Sequence, residues 1–471
     1  MLATASARSP FRSVARNSFW MSLSVGIGIV QGVAVTYVMS RSLGLVAFGQ
    51  LGLIISCTSV LLFASGSVVP NVLRESARGR LDGSALVVGA MFAQLLLAVP
   101  VLLAALVVLW LVSGDAALLG PAALLGIALL ARTALGPLVG LHLGRERMEW
   151  QLLDSAQLVL AFAALLGLVT LRTGLYALPL ASLVGAGGVG VAALAVLGRR
   201  GLPGRVWPQP AVVRMLAAST LLWGAVNMAQ QVQWSLEPLL APVIMDAREV
   251  GLFIAGGRLL PGIRSLAAAL GLVCLPPFVR AVAAADWSRL SDDAQRLLRY
   301  ILPGGFVLTL GLFTCSDAIV RVLYPQGFEA AAIILRRLSV NLIPMLLHWE
   351  ALCLLFAADK PRELLAGYGV ALVIRLVLAV RLGSTHGGVG LATAQVASDW
   401  IMALTLQVIA VRALRLKYGR ALARSALCAG IALATLVLAS SASVVFAAGS
   451  ALAVFALTWT INEALMATAP E

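Results

Sequence analysis

Apolar runs of about 18 residues or more, long enough to carry a helix across about 30 Å of hydrocarbon, follow one another along the whole chain. They fall approximately at 17–39, 46–68, 85–112, 117–143, 152–171, 176–197, 215–243, 248–278, 298–320, 330–357, 364–381, 388–411, 422–440 and 443–463, about fourteen spans. Strands of a membrane barrel would need period-two alternation over about ten residues, which these runs lack. So many long runs joined by such short connections leave no room for a soluble fold. The predicted class is an all-α polytopic membrane protein.

Composition agrees: 61% of the 471 residues are hydrophobic and 11% charged, against about 25% charged in soluble domains. A net charge of +14 raises the question of nucleic acid, and the positions of the Arg and Lys answer it. With the amino terminus inside, most basic residues fall on alternate connections, among them Arg8, Arg12 and Arg16, Arg74 and Arg78, Arg145 and Arg147, Arg199, Arg200, Arg205 and Arg214, and Arg412, Arg415 and Lys417. This is the positive-inside distribution, with both termini cytoplasmic. No basic stripe interleaved with aromatics suggests a nucleic-acid partner. The five cysteines lack the spacing of a metal or disulfide framework. The first apolar run is too long for a signal-peptide core and is expected to stay as an anchor.

An internal repeat appears at an offset of about 200 residues: Phe48-Gly49-Gln50-Leu51-Gly52 after the first turn has a counterpart in Val250-Gly251-Leu252-Phe253-Ile254. Six helices per copy give both copies one orientation, a parallel repeat. The expected organisation is an N-terminal lobe over 1–205, a C-terminal lobe over 206–415 and two appended helices over 416–471. The segment around Trp287, Asp292, Asp293, Arg296 and Arg299 reads as a surface helix at the membrane interface.

Candidate chemistry is confined to a few intramembrane polar groups. Asn227, Gln230, Gln231, Trp234 and Glu237 share one face of the seventh span, with Gln233 on the flank. They suit sugar hydroxyls in a wet cavity, or hydrogen bonds between helices. Arg132, Arg258, Arg264, Arg336, Arg337 and Arg375 lie inside spans, where each costs about 2.5–3.5 kcal/mol at a helix centre. Their planar, permanently charged forks suit a phosphate-bearing substrate. Snorkelling and pairing with internal carboxylates are the competing reading. Asp154, Glu350 and Asp399 are candidates for ion coupling, or for salt bridges to those arginines. Three scattered histidines support neither a catalytic triad nor a metal cluster. Gly185-Ala186-Gly187-Gly188-Val189-Gly190 matches a dinucleotide fingerprint in letters only, because it sits inside a membrane span. Close helix packing explains it. No phosphate-binding P-loop is present, so no nucleotide cofactor is expected.

At Asn17-Ser18-Phe19-Trp20 through Arg41-Ser42-Leu43-Gly44 and Phe48-Gly49, at Val250-Gly251-Leu252-Phe253 through Gly257-Arg258-Leu259 to Leu275-Pro276, and at Leu323-Tyr324-Pro325-Gln326-Gly327-Phe328, the sequence resembles the polysaccharide transporters and O-antigen (Wzx-type) flippases of the multidrug/oligosaccharidyl-lipid/polysaccharide flippase superfamily. The resemblance implies two six-helix lobes around a cavity and alternating access. It also implies a lipid-linked oligosaccharide carried across a bacterial inner membrane, with membrane lipid and polysaccharide assembly proteins as partners. It assigns Arg258 to the diphosphate or acidic sugars, and it implies a transporter without catalytic residues. The first helix, Trp20 to Ser40, has no acidic residue, which argues against a lipid II flippase and a proton-coupled drug exporter. A multidrug exporter of the same fold remains the alternative. A membrane-embedded polymerase or glycosyltransferase is disfavoured, because the outer loops are too short to house its chemistry.

Overall fold

The computed structural model describes residues 10–78, 82–143, 148–199, 208–417, 450–453 and 455, and among them the chain is helical throughout, joined by turns and short 3-10 segments. The α-helices are α1 (Pro10–Ser59), α2 (Leu62–Arg78), α3 (Gly83–Ser113), α4 (Leu119–Ala134), α5 (Gly136–Leu143), α6 (Leu152–Thr170), α7 (Ala177–Arg199), α8 (Pro210–Ile244), α9 (Ala247–Gly257), α10 (Leu260–Ala283), α11 (Trp287–Leu323), α12 (Ala331–Ser339), α13 (Leu342–Ala357) and α14 (Pro361–Leu414). Among the described residues seven helices are long and apolar enough to cross a membrane, or nine if each of two bent pairs is one span. The appended spans predicted at 422–440 and 443–463 lie almost wholly outside the described residues.

Apart from those two spans, the difference between these counts and the fourteen predicted spans comes from breaks and hairpins. Helix α1 contains Gly44 at φ 75°, ψ 177°, and α14 contains His386 and Gly387 in non-helical conformations, so each is two helices joined at a tight turn. At Gly44 the positive φ is one that a side chain resists. Other spans are interrupted within themselves, at Val60-Leu61, Leu135, Arg258-Leu259 and Val340-Asn341. Three of these breaks precede a proline, respectively Pro137, Pro261 and Pro344. Proline has no N–H for the carbonyl four residues back and its ring crowds that carbonyl, so the helix must open there. The first and third breaks are about 200 residues apart, as are the second and fourth. The predicted repeat period therefore reappears in the backbone itself.

The chain divides into two compact units, one comprising 1–43 and 50–235, the other 44–49 and 236–471. The boundary lies within α8, at Ser235-Leu236, whereas the boundary expected at 205–206 lies outside the described residues. The first unit packs Val68 and Val72 of α2, Leu86 and Ala90 of α3, Leu138 of α5, Val189 of α7 and Leu216 of α8 into one apolar cluster. Gly185 and Gly188 on α7 leave no space for a side chain against Gln157 and Leu160 of α6. That is the close packing expected of the glycine-rich segment. The core of the second unit includes Leu298, Phe306 and Phe313 of α11, Ile343 and Leu347 of α13 and Ala403 of α14, with Ala451 and Phe455 from the carboxyl-terminal segment. Helix α3 is apolar all round and leaves Leu96, Leu103 and Leu111 more than half exposed, as a lipid-facing helix should.

Helix α11, at 37 residues, is about 55 Å long, well beyond the hydrocarbon thickness. Its first turns, read from sequence as a separate interfacial helix, continue the membrane helix without interruption and are docked. Leu290, Ala294 and Leu298 are buried, Gln295 Nε2 donates to the Lys417 carbonyl at 3.0 Å, and the Lys417 N–H donates to Ser291 Oγ at 3.2 Å. Asp82, Asp246 and Asp286, outside the spans, accept backbone N–H bonds at the starts of α3, α9 and α11.

Candidate functional site

The charged centre of the second unit is built on the α14 hairpin. Arg375 and Asp399 stand about 12 residues on either side of the His386-Gly387 turn, about 18 Å along each helix, so the antiparallel halves bring them to one level deep in the bilayer. Arg375 is fully buried. Its Nε and Nη2 donate to the two carboxylate oxygens of Glu237 on α8 at 2.6 and 2.8 Å, and its Nη1 donates to Asp399 Oδ1 at 2.6 Å. Asn341, at the break between α12 and α13, donates through Nδ2 to the other oxygen of Asp399. The bidentate fork to Glu237 is the geometry for which arginine is suited and lysine is not.

One guanidinium between two carboxylates leaves the triad with an excess of one negative charge. Arg264 on α10, half-buried, lies within electrostatic reach of all three members. Its charge is opposite in sign to that excess, and an uncompensated buried charge is costly. His348 on α13 is buried next to this group, with Nε2 and the Tyr368 hydroxyl sharing a 2.6 Å hydrogen bond. Glu350 accepts from Gln407 Nε2, which also donates to the Leu347 carbonyl at 3.0 Å.

The other predicted residues lie apart from this centre. Arg258 caps α9 at the helix break and is half-buried, within electrostatic reach of Tyr324, whose hydroxyl donates to the Ala255 carbonyl at 2.8 Å. Because the helix breaks at Arg258-Leu259, Arg258 and Arg264 do not lie on one continuous helical wheel. Arg336 donates to Asp317 and, from Nε, to Ser316 Oγ at 3.2 Å, while Arg337 is exposed. In the first unit Asp154 lies within electrostatic reach of Arg132. Of the amide stripe on α8, Gln230 is buried, Gln231 and Trp234 are half-buried, and Asn227 Nδ2 donates to the Trp223 carbonyl at 3.0 Å. Gln233, placed on the flank from sequence, is buried as well.

The short motifs converge in the second unit. The ring of Phe48 meets Tyr324 and Phe328 edge-on at 5.8 and 5.9 Å between centroids, and Tyr324 stacks on Phe328 at 5.0 Å. A Cβ on Gly251 would overlap the Leu45 carbonyl oxygen, and one on Gly49 would stand 2.9 Å from the Gly251 backbone. Close backbone approach, rather than any turn, explains these two glycines.

Asn341 was not among the residues singled out from sequence. The available signal was an amide at a helix break three residues before Pro344. Among the described residues no group of three or more His, Cys, Asp or Glu could hold a metal ion. Cys57, Cys274, Cys315 and Cys353 are free thiols.

Long apolar helices broken within themselves, with buried charge in the second unit, are the architecture of a polytopic membrane protein, and comparison with known proteins supplies its family. The family model for polysaccharide biosynthesis proteins matches residues 14–282, and that for the lipid II flippase MurJ matches 261–463. The chain belongs to the polysaccharide biosynthesis protein family, within the multidrug/oligosaccharidyl-lipid/polysaccharide flippase superfamily, and is a transporter rather than an enzyme. No curated protein matches the sequence. The fold is similar to lipid II flippase MurJ in an inward closed conformation, at 11% identity and TM-score 0.68 over 96% of this chain and 98% of that one. It is also similar to the MATE multidrug transporter DinF-BH (14%, 0.65, 87% and 97%) and to the Vibrio cholerae MATE transporter VcmN in its bent form (15%, 0.57, 87% and 98%). At such identities the likeness concerns the fold alone. The MurJ model begins at residue 261, so it does not include the first helix, whose lack of acidic residues argued against lipid II.

Proposed function

We propose that the protein is a secondary flippase that moves an undecaprenyl-diphosphate-linked oligosaccharide from the cytoplasmic to the outer leaflet of a bacterial inner membrane by alternating access. It would serve assembly of an O-antigen or exopolysaccharide, with both termini cytoplasmic. In this reading 1–205 and 206–415 act as the two lobes. The observation that carries it is the pair of half-buried guanidiniums on α9 and α10, Arg258 and Arg264, in a chain of the polysaccharide biosynthesis family. A permanent cation at membrane depth costs about 2.5–3.5 kcal/mol on the insertion scale, and an anionic diphosphate would offset that cost. Each guanidinium presents the fork that phosphate oxygens accept. The amides of α8, Asn227, Gln230 and Gln231, with Trp234, would meet sugar. Partnership with polysaccharide assembly proteins belongs to the same reading.

Reconstitution of the purified protein into liposomes with a fluorescent polyprenyl-diphosphate oligosaccharide tests the proposal. Transfer between leaflets is expected to be protein-dependent and to fall at least tenfold in Arg258→Gln at equal protein density. Transfer unchanged by Arg258→Gln would remove that residue from the site. No transfer by the wild type, together with efflux of cationic drugs, would establish the multidrug exporter instead.

A further inference from the structure

We propose that the groove between α3 and the first segment of α8 holds one anionic glycerophospholipid, with an acyl chain along its apolar walls and the phosphate on Arg214. Both walls belong to the first unit, and the site is independent of what the protein transports.

The groove follows from the way α8 begins. Pro210 opens the helix, which then bends by 52° between Pro210–Ala218 and Leu221–Ile244. The first segment is docked on α3 through Val212 and Leu216, which are buried in one cluster with Leu86 and Ala90. A Cβ on Gly89 would stand 2.8 Å from Val212 Cγ1, so the two helices are in close contact there. Phe92 and Leu96 of α3 and Pro210, Arg214, Ala218 and Leu221 of α8 line a groove of about 600 Å³, a volume that suits a ligand. Leu96 and Leu221 are more than half exposed. On a helix as apolar as α3, such a groove opens to lipid.

The charge on these walls selects the occupant. Arg214 is the one charged residue among those that line the groove. It is exposed, and among the described residues its guanidinium makes no hydrogen bond or ion pair. Arg214 stands four residues, about 6 Å along the axis, from the start of α8. Helical side chains lean toward the N-terminus, so this cation is turned toward the positive end of the helix dipole, where the first turn carries no acidic residue. An anion at the mouth of the groove offsets the guanidinium and the dipole together. Phosphate oxygens match the guanidinium fork. A zwitterionic lipid would bring an ammonium group as well, and no carboxylate lines the groove to receive it. Free phosphate would leave the apolar walls unused. An anionic headgroup carrying an acyl chain satisfies both parts.

The test is native mass spectrometry of the full chain, released from detergent micelles that contain equal amounts of phosphatidylglycerol and phosphatidylcholine with identical acyl chains. Wild type is expected to retain one phosphatidylglycerol in preference to phosphatidylcholine by a factor of about five, the worth of one basic residue against an anionic lipid. Arg214→Gln should remove the preference. Ala218→Phe, which fills the groove, should release both lipids. Arg412→Gln changes an exposed arginine in the last turn of α14 and should leave the preference as it is. No preference in wild type overturns the inference. So does a preference kept by Arg214→Gln, or one lost equally in Arg412→Gln, which would signify attraction to the basic residues as a whole. Lipid retained by Ala218→Phe as by wild type overturns it too, as does a lipid-free dimer that this variant splits, which would place a second copy in the groove. Arg214 and Ala218 are both exposed, so neither change opens the core, and matching unfolding midpoints show that the comparison is made on folded protein.

Discussion

Replacing Arg375 with Met removes the cation that holds Glu237 and Asp399 together and leaves two carboxylates in a space closed to water. Three hydrogen bonds of 2.6 to 2.8 Å disappear at once. Breaking one buried ion pair by removing a single partner costs about 3–5 kcal/mol, because the remaining charge is stranded. With two carboxylates on one guanidinium the upper end applies, about 5 kcal/mol, or between three and four decades in the folding equilibrium. The triple variant Glu237→Gln, Arg375→Met, Asp399→Asn has no stranded charge and should recover to within about 2 kcal/mol of wild type, since buried ionic groups are often replaceable when removed together. Reversible unfolding in mixed micelles, with each single and combined variant measured, gives the coupling between sites. Arg375→Met within about 1 kcal/mol of wild type, or a triple variant no better than the single, would refute the description of the triad as a closed buried network.

Other consequences are local. Gly251→Ala drives a Cβ into the Leu45 carbonyl oxygen, and because backbone yields little, a loss of about 1–3 kcal/mol is expected in the same unfolding assay. Tyr324→Phe removes the 2.8 Å bond to the Ala255 carbonyl and should cost about 1 kcal/mol, with the stacking against Phe328 retained. Asp82 starts α3, where the Ser84 hydroxyl and then the Ala85 N–H hold its carboxyl below the usual carboxylate range. The folded value being depressed, this contribution is present above the ordinary carboxylate pKa and is lost as pH falls through the folded one. Asp82→Ala should cost about 1 kcal/mol near neutral pH, and the difference from wild type should shrink in acid.

Fold class was legible because span length and charge placement are one-dimensional properties. Repeat period was legible for the same reason: Phe48-Gly49 and Val250-Gly251 lie at corresponding places, and the helix breaks follow that spacing. Spans interrupted at Leu135, Arg258-Leu259 and Val340-Asn341 were counted as continuous, because hydropathy does not register a missing N–H, although Pro137, Pro261 and Pro344 were visible signals. Arg375, Glu237 and Asp399 were each singled out, and pairing of the arginines with internal carboxylates was one of two readings, but which partners meet was not legible, since it depends on helices meeting at one depth. The equal distance of Arg375 and Asp399 from the His386-Gly387 turn was a pairing signal that residue-by-residue reading overlooks. Burial on α8 was not legible from the helical wheel, because the helix packs on more than one side there: Gln233 on the flank is buried together with Gln230 and Glu237.

The two halves use one backbone device for different ends. In the first unit the breaks fall at Val60-Leu61 and Leu135, apolar residues with no group to offer a ligand. In the second they fall at Arg258-Leu259 and Val340-Asn341, so opening the helix delivers a guanidinium at one break and an amide at the other. A broken helix leaves its own backbone donors and acceptors to be satisfied, a cost tolerated at membrane depth only where polar surroundings or protein supply partners. At the Val340-Asn341 break the Val340 and Asn341 N–H groups donate instead to the Arg337 and Leu338 carbonyls, at 3.3 and 3.0 Å, which leaves the Asn341 side chain for Asp399. The repeat therefore conserves the kink while chemistry is concentrated in the second copy. Apolar-to-apolar changes at Leu135 should accordingly alter packing, whereas Asn341→Leu, with the same number of side-chain heavy atoms, should remove the donor to Asp399 and leave one oxygen of a buried carboxylate without its partner, at a cost of about 1–3 kcal/mol in the unfolding assay.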